Sequence, residues 1–180
     1  MTEGWQRCFI ALVPDDASRV ALAAIPAPEI ARRVPEAQLH LTVTFIGALS
    51  VERGSALVDA LQEQTMCVAP AAITRIAHWP SAAHPKLTVA ELAMSDDFTS
   101  LDWRIRSLML ELGLPVDARA FRPHVTLARF GREAPAVERV FFTPGQLLVR
   151  FEALALYSST LARRGARYEA LMTMPLAPQR

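Results

Sequence analysis

A chain of 180 residues and 19.8 kDa can bury one well-developed core but is short for two independent domains, so residues 1–180 are expected to form a single unit and a monomer. Its 52% hydrophobic and 21% charged residues exclude a disordered chain, and no apolar run approaches the ~20 residues of a membrane-spanning helix. A net charge of +1 excludes nucleic-acid binding by bulk electrostatics alone; residues 1–100 hold 7 basic and 11 acidic side chains and residues 101–180 hold 12 and 7, so an anion site should lean on the second part.

The N-terminus carries Glu3 where a secretion signal would be basic, which leads to a cytoplasmic expectation. Cys8 and Cys67, each alone in apolar sequence, read as reduced core thiols. From Gln6 to Val13 the chain reads as a strand, followed by an Ala-rich helix capped by Asp15 or Asp16. A proline-marked loop from Pro26 to Pro35 leads to the strand LHLTVTFIG, Leu39 to Gly47. The next stretch, from Val51, spaces Val51, Leu57, Val58 and Leu61 on one helical face despite Gly54. Residues 70–79 and 85–92 read as a hairpin around the Pro80 to Pro85 turn. A helix capped by Ser95 or Asp96 follows, with Leu101, Ile105, Leu108 and Leu112 on one face and Gly113 at its end. The strand PHVTLARF and two further strands, over 145–159 and 167–176, complete the chain. Strands in runs with helices between them predict an α+β fold with largely antiparallel sheets.

His-x-Thr-x occurs twice, at His40 and His124, 84 residues apart and each inside an apolar strand. Alternation places His40 with Thr42, and His124 with Thr126, on one face, and Leu39, Leu41, Val43 and Phe45, or Val125 and Leu127, on the other. The half-chain spacing suggests two similar lobes. If the polar faces meet, two imidazoles can serve as acid and base, and two hydroxyls can hold phosphate oxygens. That set suits a strained cyclic phosphate ester without a metal or cofactor. A zinc site is a weaker rival, because no His-x-x-x-His, cysteine pair or carboxylate at ligand spacing accompanies the histidines. His78 and His84 flank a turn and read as solvent-exposed.

The paired HLTVTFIG and HVTLAR motifs, with RCFIALVPDD at the start and LALYSSTLARRGARYEALMTMPL near the end, resemble the 2H phosphoesterases, and most closely their RNA 2′,3′-cyclic phosphodiesterase branch, historically called 2′-5′ RNA ligase. The resemblance implies two pseudo-symmetric lobes, each an antiparallel sheet with helices outside, around a central cleft. It implies opening of an RNA or oligonucleotide 2′,3′-cyclic phosphate to a 2′-phosphate, with His40 as acid, His124 as base, and Thr42 and Thr126 on the phosphate. Arg129 matches a phosphate-binding position, although strict alternation turns it to the core side, so that either the strand bulges or ends before it, or its role is structural. Tyr168 and Phe9 are candidate walls or base-stacking groups, and Arg163, Arg164 and Arg167 a basic loop that could meet an RNA backbone. The strand HPKLTVAEL lacks a tryptophan that the branch often carries there. Alternative readings are 2′-5′ RNA ligation and a nucleotide-binding module without turnover.

Overall fold

Each helix starts where a side-chain oxygen can take up a free backbone amide. The computed structural model describes residues 4–163 and 165–178. In it α1 (Asp16–Ala23) is capped by Asp15, which accepts from the Ser18 amide; α2 (Val51–Gln62) by Ser50, from Arg53; and α3 (Asp96–Glu111) by Ser95, from Phe98. α3 buries Phe98, Leu101, Ile105 and Met109 at steps of three and four. Leu108 and Leu112, expected on that face, lie at its margin, part-buried against the same core. Gly54 has a packing reason: a Cβ there would stand 1.9 Å from the Trp5 ring. The residue that weakens α2 therefore lets the helix close onto the first strand.

The strands are β1 (Gly4–Pro14), β2 (Arg32–Arg33), β3 (Leu41–Ser50), β4 (Ala71–Pro80), β5 (Pro85–Leu92), β6 (His124–Arg129), β7 (Leu148–Val149), β8 (Phe151–Ala162) and β9 (Gly165–Pro175). Every pairing among them is antiparallel, which bears out the α+β expectation. They run in the order β7-β4-β5-β6-β3-β1-β8-β9, with β2 on β6. The two expected lobes are thus joined in one hydrogen-bonded path rather than forming two separate sheets. Their seam is thin, a single registered pair, Leu41 with Val125. Beneath it one core cluster takes side chains from both halves, among them Leu12, Leu41, Ile105 and Val125.

The strand expected over 145–159 is broken at Arg150. Its amide donates to the Ser18 hydroxyl and its carbonyl accepts from the Asp15 amide, so α1 takes this residue out of the ladder. Consequently β7 pairs with β4 in one lobe and β8 with β1 in the other. The proline-marked loop also yields β2, whose Arg32 registers with Arg129. Cys8 is buried as expected, but Cys67 is exposed, placed on the coil after α2 where neighbouring Met66 and Val68 turn inward. Among the described residues, no helix is long and apolar enough to cross a membrane.

Candidate active site

Register decides which side chains reach the cleft. Along β1 and β3, Ile10 faces Thr44 and Ala11 faces Thr42, so Val43 is an extra residue. Along β5 and β6, Thr88 faces Ala128 and Val89 faces Thr126, so Leu127 is extra. Each bulge falls three residues after the histidine of its motif and reverses the alternation beyond it. Phe45, expected on the core face, is instead 60% exposed in the cleft. The second bulge likewise turns Arg129 to the cleft, resolving the doubt that alternation raised.

Aligning the two motifs makes the strand pairings of the halves correspond, β8-β1-β3 to β4-β5-β6. Phe45 then corresponds to Arg129, Phe9 to Leu87, and Tyr157, which registers with Phe9, to Trp79, which registers with Leu87. A cavity of about 970 Å³ lies over the seam, and its walls include His40, Thr42, His124, Thr126, Arg129, Tyr168 and Phe9. All seven residues singled out from the sequence are brought to one place.

Both imidazoles are anchored the same way. His40 Nδ1 donates to the Gln38 carbonyl at 2.7 Å, and His124 Nδ1 to the Arg122 carbonyl at 2.6 Å. Each anchor is two residues upstream, and it fixes the neutral tautomer whose lone pair is on Nε2. At His40 that lone pair accepts from the Thr42 hydroxyl, 3.1 Å away. Burial is the main force on both rings. It pushes His40 down to about 4, with Arg129 and His124 adding to the fall and the Gln38 bond opposing it. His124 is also lowered, by burial first and then by Arg122 and Arg129, while the Arg122 carbonyl and Glu91 pull the other way. Both rings are thereby biased toward the neutral form.

Different surroundings distinguish the rings. His40 sits among Phe9 at 5.0 Å, Tyr168 at 5.3 Å and Tyr157 at 6.3 Å between ring centroids. His124 has Trp79 at 4.3 Å, and the Arg122 guanidinium lies over the Trp79 ring at 4.1 Å from its centroid. Glu91, across the ladder from His124, holds this group together. It accepts from Trp79 Nε1 at 2.7 Å and from Arg75 Nε at 2.6 Å, with Arg122 Nη2 at 3.6 Å. Two of these residues, Trp79 and Glu91, were not found from the sequence. Only pairing of β4 with β5 and β5 with β6 brings them beside a histidine 33 positions or more away in the chain.

His78 is not exposed as expected. It is 7% exposed, with Nδ1 bonded to the Thr88 hydroxyl and Nε2 to the Glu138 carbonyl, because the 131–140 connection folds over β4. His84 is exposed. Arg163 lines the cleft and, with Arg167, an adjacent cavity on the β8-β9 hairpin, while Arg164 lies outside the described residues. Among the described residues no group of three or more His, Cys, Asp or Glu side chains converges as metal ligands.

This geometry has known counterparts. A model described as LigT-like phosphoesterase matches residues 93–168, which include the second motif. Comparison with curated proteins finds no match. Among solved structures, LigT of E. coli complexed with 3′-AMP is 26% identical with a TM-score of 0.74, covering 98% of this chain and all of its own. TT0787 of Thermus thermophilus is 28% identical at 0.73, covering 94% of this chain and 97% of its own. The MHV ns2 PDE domain, 13% identical at 0.53 with 84% of this chain and 99% of its own covered, shares the fold. With two mirrored histidine strands on this sheet, the chain is similar to the LigT-like phosphoesterases: by the family model over residues 93–168, and by fold over nearly its whole length.

Proposed function

We propose that the protein opens RNA or oligonucleotide 2′,3′-cyclic phosphate ends to 2′-phosphates by acid-base catalysis between His40 and His124. The observation that carries this reading is the pair of Nδ1-anchored rings, each next to a threonine hydroxyl and both open to one cleft. LigT of E. coli has been crystallised with 3′-AMP, NADP+ and ATP, ligands that share phosphoryl groups, which supports a nucleotide substrate.

The cyclic phosphate sits between the rings with its non-bridging oxygens toward Thr42, Thr126 and Arg129. Its negative charge raises the proton affinity of both imidazoles and loads a proton onto His40 Nε2. Thr42, which donates to that nitrogen while the ring is neutral, can then accept from it and turn its own hydrogen to phosphate. His124 Nε2 takes a proton from water as the water oxygen bonds to phosphorus. The bond from phosphorus to the 3′ oxygen breaks, and His40 gives its proton to that oxygen. Burial lowers the proton affinity of His40, so once charged the ring gives up its proton readily, and Glu91 opposes the lowering of His124.

The experiment is hydrolysis of a short RNA with a 2′,3′-cyclic phosphate end in EDTA, with the product isomers resolved. A 2′-phosphate product is expected. No hydrolysis, a 3′-phosphate product or loss of activity in EDTA overturns the mechanism.

A further inference from the structure

Four arginines next to the cleft lack counter-charges among the described residues. Arg32 and Arg129, paired across β2 and β6, and Arg163 and Arg167, on the β8-β9 hairpin, line a second cavity of about 510 Å³. Gln38 and Tyr168 complete its wall, and no Asp or Glu lines it among the described residues. None of the four arginines forms an ion pair among those residues. Arg33, beside them, is spent on the Ala23 and Ile25 carbonyls. The contrast with the other basic surface is plain, since Arg75 and Arg122 share Glu91.

Like charges gathered without a partner repel one another, and an anion among them relieves that repulsion. The backbone also makes room for this arrangement. Gly165 has φ +123, and the Arg32 guanidinium lies where a Cβ on Gly165 would come within 3.3 Å. A glycine at the hairpin tip thus lets the guanidinium lie against the main chain. Arg32, Arg129, Arg163 and Tyr168 line both this cavity and the histidine cleft, so one ligand can extend from one into the other.

We propose that this pocket binds a second phosphate of the substrate, the one on the 5′ oxygen of the nucleotide whose cyclic ester lies between the histidines. The inference rests on the cyclic-phosphodiesterase reading for its placement of the first phosphate. It makes the enzyme selective for ends that carry a 5′ phosphate, over bare nucleoside 2′,3′-cyclic phosphates. Planar guanidinium groups suit such an oxygen cluster by forked hydrogen bonding.

The test separates binding from turnover. Calorimetry compares adenosine 2′-monophosphate with adenosine 2′,5′-bisphosphate on the wild type, Arg32→Ala and Arg167→Ala. The bisphosphate is expected to bind at least about tenfold more tightly to the wild type, and each substitution to remove about tenfold of that preference. Equal affinity of the two ligands for the wild type, or a preference unchanged in both variants, overturns the pocket. Rates on adenosine 2′,3′-cyclic phosphate, with and without a 5′ phosphate, form the second arm. A bisphosphate preference with no hydrolysis of either upholds the pocket and removes the hydrolase reading. A third arm uses a dinucleotide with a cyclic end: a rate gain like that of the 5′-phosphorylated nucleotide shows that a backbone phosphodiester is accepted, and no gain restricts the pocket to a terminal phosphate.

Discussion

The burial of His40 has a consequence for stability that can be measured without any substrate. Its ring titrates near 4 in the folded protein and near 6.5 when unfolded. Because the folded value is the lower, the unfolded chain takes up the proton first as pH falls. The neutral ring's contribution is therefore complete above about pH 6.5 and is lost progressively down to about pH 4. A displacement from 6.5 to about 4, at about 1.4 kcal/mol per unit, corresponds to about 3 kcal/mol. His40→Gln cannot titrate there and lacks this dependence. Urea unfolding of both proteins at pH 7.5 and pH 4 reads the quantity directly, because other titrating groups largely cancel in the comparison. The stability of the wild type relative to the variant should fall by about 3 kcal/mol between the two pH values. A difference that stays constant, or that grows in favour of the wild type as pH falls, refutes the assignment of a buried, neutral ring.

Other outcomes follow from single contacts. Glu91→Gln removes the negative charge that supports His124, so the acidic limb of kcat/KM against pH should move to lower pH, a shift that a merely structural role would not produce. Phe45→Ala should raise KM for cyclic-phosphate RNA by about tenfold with little change in kcat, if the exposed ring stacks on a base. Gly54→Ala drives a methyl into Trp5 and should destabilise the fold by about 1 to 3 kcal/mol in urea unfolding.

The parts of this molecule that follow a local period were legible in the sequence. The caps at Asp15 and Ser95, the antiparallel α+β class and the convergence of two His-x-Thr-x strands all depend on neighbours a few positions apart, or on a motif repeated at half the chain. What escaped depends on register. Period-two alternation sends Phe45 to the core and Arg129 with it, until one extra residue in each strand turns both outward. Nothing in the local text around Val43 or Leu127 marks a bulge, since both are ordinary strand formers. His78 looked like a turn residue because Thr88 and Glu138, which satisfy its ring, lie 10 and 60 positions away. Glu91 and Trp79 similarly become neighbours of His124 only through two strand pairings. The break at Arg150 came from α1, whose Asp15 and Ser18 compete for its backbone.

Pseudo-symmetry also shows how the two sides of the cleft come to differ. Equivalent strands carry equivalent histidines and threonines, and the substitutions between halves make the difference. Phe45 stands where the other half has Arg129, giving one aromatic and one cationic wall. Tyr157 stands where the other half has Trp79, and only the latter is tied to a carboxylate. A duplicated frame with unequal trim thus gives the two rings different surroundings.

The central claim is that the two histidines act as one unit on a phosphate ester. Its most direct test is the rate of cyclic-phosphate RNA hydrolysis by the wild type, His40→Ala, His124→Ala and the double variant, each checked for folding. Each single substitution should cost about 10² to 10⁴ in kcat, and the double variant should be little slower than either single one, because half of an acid-base pair does little alone. Either single variant retaining a rate within about tenfold of the wild type, or losses that simply multiply in the double variant, would contradict the account.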